Sequence, residues 1–281
     1  TESRGLGDVY KRQVLIKETM KKQKTTKDQY FLFIAQLIAH LSIIPMIMYG
    51  AWYHWVIAFF VYFITGCFGM TMTFHRLLSH ASWKAPKWFH YFGSLAGTYG
   101  LTGSTIGWVA IHREHHHHTD DEDDPHSPAY KGFFKVQWLS MFDTPNPRYV
   151  VKLIRNKFHL FTHRYYFLIH LAIAGTWYMI DPMLLVSAYL FPAMILWNAG
   201  SFINTLTHMI GYRNHQTEDN STNVPLLGIL MWGEGWHNNH HANPNSPSFK
   251  YKWWEFDVGG WFIKLLEVKD HGKDTKVSTT V

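Results

Sequence analysis

The stretch WYHWVIAFFVYFITGCFGMTMTFHRLLSH, residues 52–80, decides how the chain is organised. Its first part, 52–74, holds no Asp, Glu, Lys or Arg and exceeds the roughly 20 apolar residues that cross a bilayer. The box His75-Arg-Leu-Leu-Ser-His80 follows at once. Imidazole is the commonest protein ligand for iron, zinc and copper, so two imidazoles at the end of a span point to a metal site at a membrane surface. On an ideal α-helix positions five apart lie about 140° apart around the axis. His75 and His80 can therefore converge only if the helix ends or unwinds near Leu78-Ser79.

Outward from this stretch, the chain offers three more apolar segments, 30–49, 165–179 and 183–203. Gly50-Ala51 joins the first pair and Ile180-Asp181-Pro182 the second, so both pairs read as hairpins. Lys and Arg set the orientation. The segment before residue 30 carries Arg4, Lys11, Arg12, Lys17, Lys21, Lys22, Lys24 and Lys27, and Arg148–Arg164 carries Arg148, Lys152, Arg155, Lys157 and Arg164, whereas the hairpin links carry none. The expectation is an all-α integral membrane protein with four transmembrane helices, a cytoplasmic helical cap, and both termini and the site on the cytoplasmic side. Residues 1–28 read as a polar basic tail without signal-peptide pattern, 29–270 as one domain, and 271–281 as a C-terminal tail. Segment 88–111 is also long enough to cross, but its Gly93, Gly97, Gly100, Gly103 and Gly107 place it in the interface or inside the protein.

Composition agrees. Charged residues make up 16% of the chain and aromatics 17%, against roughly 25% charged in soluble domains. The net charge of +6 sits on residues flanking apolar runs, which fits a membrane surface rather than nucleic acid. The single Cys67 excludes an intramolecular disulfide and a Cys-based zinc site.

Two further clusters match the first box in chemistry. His112-Arg-Glu-His115-His116 and His237-Asn-Asn-His240-His241 each place histidines at i, i+3 and i+4, one face of a helix. Asn204 and His208, at i and i+4, end the last apolar segment. With the predicted topology all nine imidazoles and the Asn204 amide fall on one side at one depth, enough for two metal ions. His126, in Asp124-Pro125-His126, reads as a residue orienting a ligand, and Asp124 and Glu234 as carboxylates behind the ligands. The rest of the acidic patch 119–124 reads as solvated. A carboxylate-bridged di-iron bundle is disfavoured: Glu-x-x-His occurs at Glu114–His117 and Glu234–His237, but the spans contribute no Glu.

The set His-x4-His, His-Arg-x-His-His and His-x-x-His-His, with Asp124-Pro125-His126, Asn204 and His208-Met-Ile-Gly-Tyr-Arg213, and Gly233-Glu-Gly-Trp-His237, resembles the membrane-bound fatty acid desaturases. Within them it is similar to the Δ9 acyl, stearoyl-CoA desaturase-like group of bacterial type, over about residues 30–260. The resemblance implies two iron ions ligated by His75, His80, His112, His115, His116, His208, His237, His240 and His241, with Asn204 acting through water. It implies an O2-dependent oxidoreductase that puts a cis double bond, expected at Δ9, into a saturated acyl chain. Animal acyl-CoA desaturases carry an Arg-Asp pair immediately before the second box. Ala110-Ile111 stand here, so a fatty acyl thioester and an acyl-lipid both remain open as substrate. The chain has no haem-binding signature, so a separate donor of ferredoxin or cytochrome b5 type is implied. Position along the acyl chain must be set by a tunnel, for which Trp108, Trp197, Trp232 and Trp236 are the candidate lining residues. Alternatives are hydroxylation or acetylenic bond formation on the same scaffold, and a histidine-rich metal transporter. The last would need ionisable residues along the spans, and here they cluster past the span ends.

Overall fold

The computed structural model describes residues 26–268, so the expected C-terminal tail and nearly all of the N-terminal one lie outside the described residues. Among the described residues the fold is helical, with isolated β-bridges at Tyr212, Asn223 and Trp236.

Three helical stretches are long and apolar enough to cross a membrane: Gln29–Tyr49, Trp52–Ser79 and Pro182–Leu206. The first comprises α1 (Thr26–Leu41) and α2 (Ile43–Tyr49). The second comprises α3 (Trp52–Phe63) and α4 (Ile64–Ser79), the latter a π-helix. The expected third span is the helix Tyr166–Ile180, of 15 residues. At 1.5 Å per residue it covers about 22 Å, short of the roughly 30 Å hydrocarbon core. The faces of α1, α2 and α3 turned away from the protein carry Ile34, Leu37, Ile47, Trp52, Phe59 and Phe60, all exposed, an apolar belt suited to lipid rather than water.

Segment 88–111 does not form one helix. It is split into α5 (Lys87–Tyr99) and α6 (Thr105–His118) by a turn in which Leu101 (φ +57°) and Gly103 (φ +110°) are left-handed. α5 packs along α4 at backbone distance. A Cβ on Gly69 would lie 2.3 Å from the Gly97 nitrogen, and one on Gly97 would lie 2.6 Å from the Phe74 ring. Glycine is therefore what admits this approach. Around the seam Cys67, Met72, Phe74, Leu78, Phe89, Ile106 and Val109 form a buried core, which holds the ends of α4 and α6 side by side.

Candidate metal centre

The π-helix answers the geometric problem of the first box. In an i→i+5 ladder the residue five positions on sits one turn above. The His80 backbone N–H donates to the His75 carbonyl at 3.2 Å, and the two rings lie 5.0 Å apart. The helix thus widens along its whole second half and ends, as expected, at Ser79, with His80 as its cap. α6 starts where the Ser104 hydroxyl caps the Gly107 N–H at 3.2 Å, and its last turns carry the second box. The helix Phe191–Leu206, here α7, stops two residues before His208, whose N–H turns back to the Thr205 carbonyl at 3.2 Å. A six-residue helix, α8 (His237–Ala242), carries the third box.

These elements sort the nine histidines into two groups, each with its ligand nitrogens within 4.8 Å of one another: His75, His80, His112, His116 and His240, and His115, His208, His237 and His241. Neither helical box stays together. α6 gives His112 and His116 to one group and His115 to the other, and α8 gives His237 and His241 to one and His240 to the other. Residues four apart serve one group and the residue between them serves its neighbour.

Within the larger group Nε2 atoms face each other: His75 and His240 at 3.0 Å, His80 and His112 at 2.9 Å, His116 and His240 at 2.9 Å. Burial, then the neighbouring imidazoles, push His112, His116, His237 and His240 well below the usual histidine range. Burial likewise takes His80 to about 2 and His241 to about 4. These six rings are neutral, which is the ligand form. The buried His115 Nε2 and His241 Nε2 have no hydrogen-bond partner, and an orphaned buried nitrogen costs about 1–3 kcal/mol. Converging lone pairs and orphaned nitrogens fit a cation at each group, and an all-imidazole set suits iron, copper or zinc.

Carboxylates hold four of the rings by Nδ1. Asp124 accepts from His115 at 2.9 Å, Asp120 from His208 at 2.9 Å and Asp219 from His241 at 2.7 Å, and Glu234 accepts from His75. Such a bond fixes the tautomer and aims Nε2 inward. Burial alone would raise Asp124, Asp219 and Asp120, but their histidine partners hold all three below the usual carboxylate range. The acidic patch 119–124 is therefore not simply solvated: Asp120 and Asp124 turn inward, while Asp121 stays exposed beside His118. His126 lines the cavity and reaches Asp124, the carboxylate behind His115, through its main chain. Its backbone N–H donates to Asp124 at 2.8 Å, while its ring Nδ1 is buried without a partner. Behind Glu234, the fully buried Arg76 guanidinium lies 3.4 Å from that carboxylate, 2.9 Å from Asp257 and 3.9 Å from the Phe249 ring centre.

A cavity of about 220 Å³ meets both groups, at His75 and His112 of one and His237 of the other, and extends to Gln29, Phe31 and Arg164. The sequence matches the fatty acid desaturase family model over residues 50–256. The chain belongs to the fatty acid desaturase family. It is 34% identical to an sn-1 stearoyl-lipid 9-desaturase of Synechocystis sp., over 88% of this chain and 79% of that one. To an sn-2 palmitoyl-lipid 9-desaturase of Nostoc sp. it is 36% identical, over 74% and 76%. To an acyl-CoA C20 Delta5-desaturase of Anemone leveillei it is 31% identical, over 93% and 86%. The chain is an oxidoreductase, a fatty acyl desaturase.

In this desaturase Asn204, half-buried on α7, lines the cavity. Of the four tryptophans, Trp108 and Trp197 also line it. Trp108 stacks on His112 at 5.0 Å, and the Trp197 Nε1–H donates to the Gln137 carbonyl at 3.2 Å. Trp232 and Trp236 lie elsewhere. Trp232 packs among Tyr62 and Phe63, and Trp236 is fully buried with its Nε1–H on the Phe256 carbonyl at 2.8 Å. Asp120 and Asp219 are the site residues that sequence reasoning missed. Asp120 carries φ +59°, which no spacing announces, and Asp219 lies in a polar loop without apolar period.

Proposed function

We propose that this desaturase inserts a cis double bond at the ninth carbon of a saturated acyl chain esterified to a membrane lipid, using two irons, O2 and electrons from a separate donor of ferredoxin or cytochrome b5 type. The observation that carries the reading is two buried imidazole groups, of five and four, side by side on one cavity. In this reading His75, His80, His112, His116 and His240 hold one iron, and His115, His208, His237 and His241 hold the other, with Asn204 reaching it through water. Two irons with O2 supply the oxidising power to take hydrogen from adjacent unactivated methylenes, which no acid or base side chain can do.

The protein's part is to bind, aim and exclude. Glu234, Asp120, Asp124 and Asp219 fix the rings. The apolar lining, including Met70, Ile111, Met141 and Trp197, takes up the acyl chain at about 0.8 kcal/mol per CH2. Because methylenes are chemically alike, the distance from the polar mouth to the histidines selects the carbon. Gln29 and Arg164 line the cavity where an apolar stretch and the helix Tyr166–Ile180 begin. A mouth at these residues, level with lipid head groups, would suit an acyl-lipid. The relatives named as acyl-lipid 9-desaturases support the same substrate and position. We place Tyr166–Ile180 as a fourth span whose shortness is met by local thinning of the bilayer, with the histidines and both termini on the cytoplasmic side, because the lysines and arginines gather there.

Expression in a host without desaturation, followed by locating the double bond in each lipid class, tests the reading. A Δ9 monoene in glycerolipids is expected. A hydroxylated product, a bond at another carbon, or product confined to acyl-CoA would refute the corresponding part. Two irons per purified chain are expected, and variable zinc without desaturation would favour transport.

A further inference from the structure

The two histidine groups differ most in what stands behind the rings. In the group of four, three ligands have a carboxylate on Nδ1: His115 with Asp124, His208 with Asp120 and His241 with Asp219, at 2.9, 2.9 and 2.7 Å. The cations nearby among the described residues are Arg213, 3.9 Å from Asp219 and partly exposed, and Lys135, which Asp143 neutralises at 3.0 Å. In the group of five only His75 has such a partner, Glu234, and that carboxylate shares Arg76 with Asp257. The Arg113 guanidinium lies against the carbonyls of Leu78 and Ser79, beside His80, at 2.6 and 2.9 Å. Two carboxylates against two guanidiniums cancel around the five. Three carboxylates against one guanidinium leave two negative charges around the four.

In a buried site of low effective dielectric, unbalanced charges act strongly on a cation a few ångströms away, and more strongly on a trivalent than on a divalent one. A fifth imidazole adds a neutral donor and does not change that balance. Resting on the two-iron reading, we propose that the four-histidine group is the higher-charge site of the pair. When one electron is added to the oxidised centre, it keeps the ferric ion and the five-histidine group takes the ferrous one. Asp120, Asp124 and Asp219 are the positioning residues that impose this order. The step is one electron from an external chemical reductant, converting one ferric ion to ferrous, with no bond made or broken.

The test is Mössbauer spectroscopy of the full chain loaded with 57Fe and reduced by one electron equivalent. Separate ferric and ferrous components are expected in equal amount. Asp219→Asn should perturb the ferric component and Glu234→Gln the ferrous one, each with its neighbour's parameters retained. Removing one carboxylate should lower the ferric preference of the four-histidine group, read as ferrous intensity gained by the component that this substitution perturbs. Asp124→Asn repeats the test on a second ligand should Asp219→Asn lose iron through its loop. Perturbation of the ferrous component by Asp219→Asn and Asp124→Asn would overturn the order. A single averaged signal would overturn it as well, while leaving two irons in place. A wild-type chain that binds no iron would overturn the two-iron reading with it.

Discussion

The helices around the first histidine box and the segment 212–257, which carries the third, are held by different physics. α3, α4 and α5 meet through apolar packing and glycine contacts, with few side-chain hydrogen bonds. The region 212–257 is held by polar atoms. The buried Asn239 side chain accepts from Asn214 and Asn223 and donates to the Phe249 carbonyl and Glu255, at 2.8–3.0 Å. Asn238 accepts from the N–H groups of Asn214 and His215 at 2.9 and 2.8 Å. Packing is tolerant in angle and sets where a helix ends, whereas hydrogen bonds are directional and set how α8 is rolled. Since α8 must give His237 and His241 to one group and His240 to the other, a small roll would misdirect all three.

The largest effect should come from removing a ligand on the packed side. His115→Ala is expected to lower turnover more than 100-fold and to cost the chain iron, because ligands exceed the 10–100-fold effect of their partners. Full activity with two irons by elemental analysis would refute the assignment. Next is Asn239→Ala, which strands several buried polar groups at about 1–3 kcal/mol each. Earlier thermal unfolding in detergent and reduced iron are expected while the α4–α5 seam stays intact. Unchanged stability would erase the contrast between the regions. Trp197→Ala should lengthen the accepted chain or move the double bond, by lipid analysis, whereas Trp236→Ala should lower stability without moving it. His118→Ala, half-buried at the end of α6 and outside both histidine groups, should change turnover less than about two-fold, as substitutions away from such features do.

The contrast also explains what could be read beforehand. The boxes were legible because a ligand set needs fixed spacings on a helix and the spans announce themselves by hydropathy. The partition of each box into two groups was not, because i, i+3 and i+4 describe one broad face and only the neighbours decide how it is split. The π-helix was not legible either: 64–79 has ordinary helix-forming and glycine residues, and the wide ladder depends on packing against α5. Asp120 and Asp219 reach their histidines across 88 and 22 positions, so no local pattern marks them. The tryptophans near the boxes divided evenly between cavity and core, since an aromatic ring serves either place equally well.

The i→i+5 ladder of α4 carries one more consequence. His75 and His80 coincide only at that pitch, so the segment 64–79 works as a ruler whose graduation is a single residue. Replacing side chains along it leaves the count unchanged. Deleting or inserting one residue below His75 swings both imidazoles by roughly a quarter turn and carries them off their partners. The length of this segment is therefore as binding on the site as its two histidines or the glycine contact at Gly69.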